Sequence, residues 1–158
     1  MQPVLKELDR MTEERFLAIY DALSDRGFGP LDGNVASALK FRPHAIRKLP
    51  FAQRAKKAKS LILGSSDAET AYDLLGSFLV KHHKELITDF LDATGVPHDE
   101  GMIEDLRAAA PDAEKLPEAI KGLDEKFEPD HVTIYLAMCS QQWPDSEHVV
   151  ELWNSRAE

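Results

Sequence analysis

Residues 66–95 read SDAETAYDLLGSFLVKHHKELITDFLDATG, and the period of their apolar positions decides the fold. Ala71, Leu74, Leu75, Phe78 and Leu79 recur every three or four positions, and so do Leu86, Ile87, Phe90 and Leu91. That is the stripe of an amphipathic helix, not the period of two of a half-buried strand. Ser66-Asp67-Ala68-Glu69 has the capping-box pattern, in which the serine serves a free amide ahead and the glutamate reaches back. Gly95 is a natural stop. The run is long for one helix, so the spacing predicts two helices meeting near Lys81-His82-His83-Lys84.

The same period extends in both directions. Val4, Leu5, Leu8 and Met11 predict a short opening helix. Thr12 then caps a second, with Glu13 and Glu14 in its first turn and Phe16, Ile19, Tyr20 and Leu23 as its stripe, up to Gly27. Short helices are expected over 34–39 and 43–49. Phe51, Ala55, Ala58 and Ile62 then share one side of a helix that Gly64 stops, with Lys56, Lys57 and Ser60 on the other side. Past the turn-rich segment 95–101, helices are expected near 102–110, 117–127 and 131–142. After Pro144, Val149, Val150, Leu152 and Trp153 mark a last helix over about 145–156. The expectation is all-α: a multi-helix bundle forming a single domain over 1–158. A chain of 158 residues buries about 70% of its unfolded surface, so no metal or disulfide is required to hold it.

KLPFA at 48–52 and KLPEA at 115–119 suggest how such a bundle arose. Phe16, Ile19 and Tyr20 align with Ile87, Phe90 and Leu91. Gly27, Gly33 and Pro43 align with Gly95, Gly101 and Pro111, and Asp67, Thr70 and Tyr72 align with Asp130, Thr133 and Tyr135. Every gap falls in an expected loop, where length changes are best tolerated. These matches predict an internal tandem duplication of a unit of four helical segments, over 13–81 and 83–143, followed by the C-terminal helix.

Charge is unevenly distributed. The chain carries −9 overall, which opposes affinity of the whole molecule for nucleic acid or anionic membranes. No acid lies between Asp32 and Asp67, where Lys40, Arg42, Arg47, Lys48, Arg54, Lys56, Lys57 and Lys59 give +8 and leave −17 for the rest. The aligned part of the second half, Asp99–Asp130, holds eleven acids and four bases. The favoured expectation is a non-catalytic binding or adaptor module whose contact surface lies within 40–59. Its anion- or partner-binding residues would be Arg42, Arg47, Lys48, Arg54, Lys56, Lys57 and Lys59, and its partner a protein or other anionic molecule.

Part of that window supports an alternative. VASALKFRPHAIRKL, residues 35–49, resembles the helix-turn-helix pattern of DNA-binding regulators. Val35, Ala36, Leu39, Phe41, Ile46 and Leu49 stand where that motif takes small or apolar residues. The resemblance implies a recognition helix presenting Arg42, His44, Arg47 and Lys48 to phosphates or guanine edges. Lys40 occupies the turn position where glycine is usual, and Pro50 limits the second helix to about two turns. Nucleic acid is therefore the less favoured partner.

The chemistry-bearing residues give little further. His82 and His83 are adjacent and diverge by about 100° on a helix. Glu128 and His131 form a single Glu-x-x-His, short of the two such motifs plus two glutamates that a dinuclear bundle site needs. His98-Asp99-Glu100 reads as turn and cap chemistry. No nucleophile elbow, phosphate-cradling loop or dinucleotide fingerprint is present, so no catalytic residue, metal ligand or cofactor is assigned. An enzyme whose site assembles from distant residues is the third expectation.

Cys139, the only cysteine, stands in an apolar run as a small buried hydrophobe. No stretch approaches the roughly 18 apolar residues of a membrane span, and the N-terminus has no signal-type apolar core, so a cytoplasmic location is expected. Trp153 is expected to dock on the core; left exposed, the last helix would instead be a homodimer or partner surface.

Overall fold

The computed structural model describes residues 2–24, 50–104 and 110–156, among which eight α-helices occur and no strand. They are α1 (Pro3–Arg10), α2 (Glu13–Ser24), α3 (Phe51–Gly64), α4 (Ala68–His82), α5 (Lys84–Ala93), α6 (Leu116–Lys126), α7 (Pro129–Gln142) and α8 (Glu147–Arg156). The chain divides into two compact units, Met1–Phe78 and Leu79–Glu158, with the boundary inside α4. The short helices expected over 34–39 and 43–49 lie outside the described residues. The helix expected over 102–110 is absent from its described part: Met102 forms an antiparallel bridge with Asp99 instead.

The helix boundaries follow from local chemistry. α1 begins with Pro3, whose missing N–H is one that no first turn could satisfy. In α2 the backbone N–H of Arg15 donates to Thr12 Oγ1 at 3.2 Å, so Thr12 is the cap and the two glutamates behind it face the positive helix end. α4 and α5 meet at His83, the junction expected from the sequence. There the His83 N–H donates to Leu79 O at 2.7 Å, and its own carbonyl accepts from Leu86 N at 3.0 Å.

The link between α3 and α4 corrects the capping-box reading. Asp67, not Ser66, caps α4: its carboxylate accepts from the Thr70 amide at 3.0 Å and from the Thr70 hydroxyl at 2.6 Å. The hydroxyl bond first, then the amide bond, holds the Asp67 carboxyl below its ordinary range. Ser66 instead adopts a left-handed conformation, φ +52°, and ends α3 in a Schellman motif. The Asp67 N–H reaches Ile62 O at 3.0 Å and the Ser66 N–H reaches Leu63 O at 3.2 Å. Gly64, the expected stop, is still helical. Gly95, φ +72°, closes α5 the same way, with Val96 N bonded to Leu91 O at 2.9 Å.

In the first unit α3 packs on α1 and α2. Val4, Leu5, Leu8, Phe16, Ile19, Tyr20, Ala55, Ala58 and Ile62 are buried there. In the second unit α7 is the central element. Every residue from Val132 to Ser140 is buried, the mark of a helix covered on all sides, and α6 and α8 pack against it. Phe90 of α5 meets Tyr135 of α7 edge-on, with centroids 5.2 Å apart. Lys126 bridges α6 to α5, reaching Glu85 at 2.6 Å and Asp89 at 2.9 Å. Arg156 fastens the end of α8 with paired bonds to Asp124 at 2.7 and 2.8 Å and further bonds to Thr133 Oγ1 and Pro129 O. Trp143 and Trp153 are both buried.

The aligned halves agree in packing only in part. Phe16, Ile19 and Tyr20 are buried, as are Ile87, Phe90 and Leu91; Ala71, Leu74 and Leu75 are buried, as are Ile134, Ala137 and Met138. The KLPxA helices do not agree. Ala119, Ile120 and Leu123 face inward on α6, but their counterparts Ala52, Gln53 and Lys56 are exposed. Ala55, Ala58 and Ile62 face inward on α3, but their counterparts Gly122, Glu125 and Pro129 are exposed. The two helices associated with the shared word bury opposite faces.

Candidate interaction groove

The described part of the basic window is α3, and its four cations have different fates. Arg54 is 9% exposed. Its guanidinium lies 5.6 Å from the centroid of the Tyr20 ring and 5.2 Å from that of Phe51, rings themselves 5.3 Å apart. Flat and weakly hydrated, guanidinium is suited to such faces. Arg54 is therefore part of the α2–α3 packing and not of the solvent-facing surface where the charge pattern placed it. The signal was available in principle: Arg54 is adjacent to Ala55 and one turn before Ala58, on the buried side.

Lys59 is half-buried and donates from Nζ to the carbonyl of Met11 at 2.7 Å. Met11 is the C-cap of α1, so an ammonium from α3 satisfies a carbonyl that the helix end leaves open. Lys59→Met should remove about 1–2 kcal/mol of stability, read as a lower urea midpoint. Lys56 is exposed and Lys57 half-exposed. These two are the described cations of the window that present charge outward. Arg42, Arg47 and Lys48, with the whole helix-turn-helix-like stretch 35–49, lie outside the described residues.

Between α2 and α3 runs a groove of about 590 Å³. Leu17, Ala52 and Leu63 supply its open apolar lining above the buried Phe16 and Ala55, with Glu13 and Glu14 contributed by α2 and Lys56 and Lys59 by α3. An apolar concavity with a few charged groups is the usual form of a binding site. Here the charges are of opposite sign on the two helices.

The other sequence candidates resolve into local structure. His98 Nε2 lies 2.6 Å from Asp92 Oδ1, and its Nδ1 accepts the Gly101 N–H at 2.9 Å. Both ring nitrogens are thus engaged in holding the turn where Glu100 and Gly101 take positive φ. Among the described residues no cluster of three or more His, Cys, Asp or Glu side chains has metal-binding geometry, and no helix is long and apolar enough to cross a membrane. Burial pushes the Cys139 thiol up to about 12, against a smaller opposing effect of a hydrogen bond with Tyr135. No family model, curated protein or solved structure matches the chain.

Proposed function

We propose that the chain is a non-catalytic binding module that takes an amphipathic helix of a protein partner into the α2–α3 groove. The observation that carries this reading is the groove itself: an open apolar lining from Leu17, Ala52 and Leu63, with acids on one helix and lysines on the other. A helix laid in such a groove buries its apolar stripe and aligns its flanking charges. Its acidic flank meets Lys56, with Lys57 nearby, and its basic flank meets Glu13 and Glu14. This narrows the basic-surface reading to α3 without requiring Arg54.

The test is an anisotropy titration with a fluorescent amphipathic peptide having a leucine stripe, glutamates on one flank and lysines on the other. A scrambled peptide, duplex DNA, RNA and anionic vesicles serve as comparators. The designed peptide should bind in preference to the scrambled one, and Lys56→Glu combined with Lys57→Glu should weaken it about tenfold, the effect of some 1.4 kcal/mol. Equal binding of the scrambled peptide, or an unchanged affinity in the double variant, would overturn the proposal. Preferred binding of duplex DNA would replace it with the helix-turn-helix reading of 35–49.

We also read the agreement of α2 with α5 and of α4 with α7 as the trace of a duplicated ancestor. The KLPxA words fall outside that correspondence, because their helices bury opposite faces.

A further inference from the structure

The start of α5 and the start of α7 meet through two histidines. The rings of His83 and His131 are 4.1 Å apart between centroids and inclined by 44°. His83 is half-buried and joins α4 to α5 through both of its backbone hydrogen-bonding groups. The His131 side chain is only 14% exposed, and its Nε2 lies 3.6 Å from Glu128 Oε2. It stands in the first turn of α7, where the positive helix end disfavours a cation. Nothing in the proposed binding groove uses these residues.

We propose that this ring pair is an acid-sensitive joint: as neutral imidazoles the two rings fasten the α4–α5 bend to the first turn of α7, and protonation parts them. Two imidazolium ions at ring-contact distance repel each other, and burial weakens the solvent screening that would otherwise soften that repulsion. The elements meeting there also carry Lys81 and His82 at the end of α4, and Lys84 and Glu85 at the start of α5. Lys126 ends α6, Glu128 and Asp130 open α7, and Arg156 of α8, paired with Asp124 of α6, reaches Pro129 O and Thr133 Oγ1 on either side of His131. Of these, Glu85 is engaged by Lys126 at 2.6 Å, while Glu128 is the acid that favours a charged ring.

The direction of the response follows from His83. Burial first, and the neighbouring His82 second, hold its imidazole below the ordinary value of 6.5, against the opposing pull of Glu128. Below that ordinary value the unfolded chain takes up a proton that the folded unit resists. Stability is therefore full above 6.5 and declines as the pH falls through and below it.

The experiment is a histidine-ring NMR titration of the full chain, read together with the backbone amides of Lys84, Glu85 and Leu86. In the wild type the two rings should titrate as a coupled pair, in two steps, and the three amides should shift with the first step. His131→Phe keeps a ring in the contact but cannot be protonated; in it His83 should titrate in one step. The urea midpoint of the wild type should fall as the pH drops through 6.5 and below, while that of the His83→Phe, His131→Phe double variant falls less. Independent single-step titrations in the wild type, amides that ignore both rings, or an equal loss of stability in the double variant would each overturn the proposal. The wild-type titration decides the matter even where a variant does not fold.

Discussion

Replacing Trp153 with alanine is expected to cost the unit Leu79–Glu158 about 3–5 kcal/mol. Trp153 is 3% exposed and Val149 fully buried, and α8 packs on α7. Truncation removes the transfer free energy of an indole and leaves a cavity that a helix clamped by Arg156 to Asp124 cannot readily close. Urea unfolding followed by circular dichroism measures the loss, and Trp153→Phe should recover most of it. The outcome separates two roles for the last helix. Were Trp153 an exposed anchor for a partner, alanine would leave stability within about 0.5 kcal/mol of the wild type.

Arg54→Glu should be comparably damaging, at about 3–5 kcal/mol for the unit Met1–Phe78, the range for an uncompensated charge left in a buried site. The guanidinium lies against the rings of Tyr20 and Phe51, whose faces are electronegative. A carboxylate in the same place exchanges attraction for repulsion and loses the packing of the arginine stem. Arg54→Met, which keeps the stem and volume, should cost about 1 kcal/mol. Lys56→Glu, two residues further along the same helix but exposed, should alter stability by no more than about 0.5 kcal/mol. Two charge reversals on one helix therefore have different readouts, one in folding and the other in binding. An Arg54→Glu protein as stable as the Lys56→Glu protein would place the guanidinium in solvent and return it to the basic surface.

The sequence carried the helices well because their apolar spacing is local information. Residues 66–95 disclosed both helices and their junction, since a stripe of Leu, Ile and Phe every three or four positions has one periodic interpretation. What resisted reading was tertiary. Nothing in Ser66-Asp67-Ala68-Glu69 says which side chain turns to the amide and which takes the left-handed turn that ends α3. Nor do the words KLPFA and KLPEA disclose which face each helix buries, because that depends on the neighbours each start is packed against. The groove was half legible. The charge pattern singles out Lys56 and Lys59, but in the sequence Glu13 and Glu14 are only first-turn residues of α2. Their approach to α3 is a property of packing. Arg54 shows the same limit, since a net-charge window counts cations without asking which ones lie over aromatic rings.

The lone thiol of Cys139 has a use that its inertness creates. Fully covered within α7 and pushed up to about 12, it offers an aqueous alkylating reagent neither access nor thiolate while the second unit stays closed. Modification of the untouched wild-type chain is thus metered by how often that half of the molecule opens. The protein carries its own stopwatch for breathing, with no label to install and no competing sulfhydryl to mask.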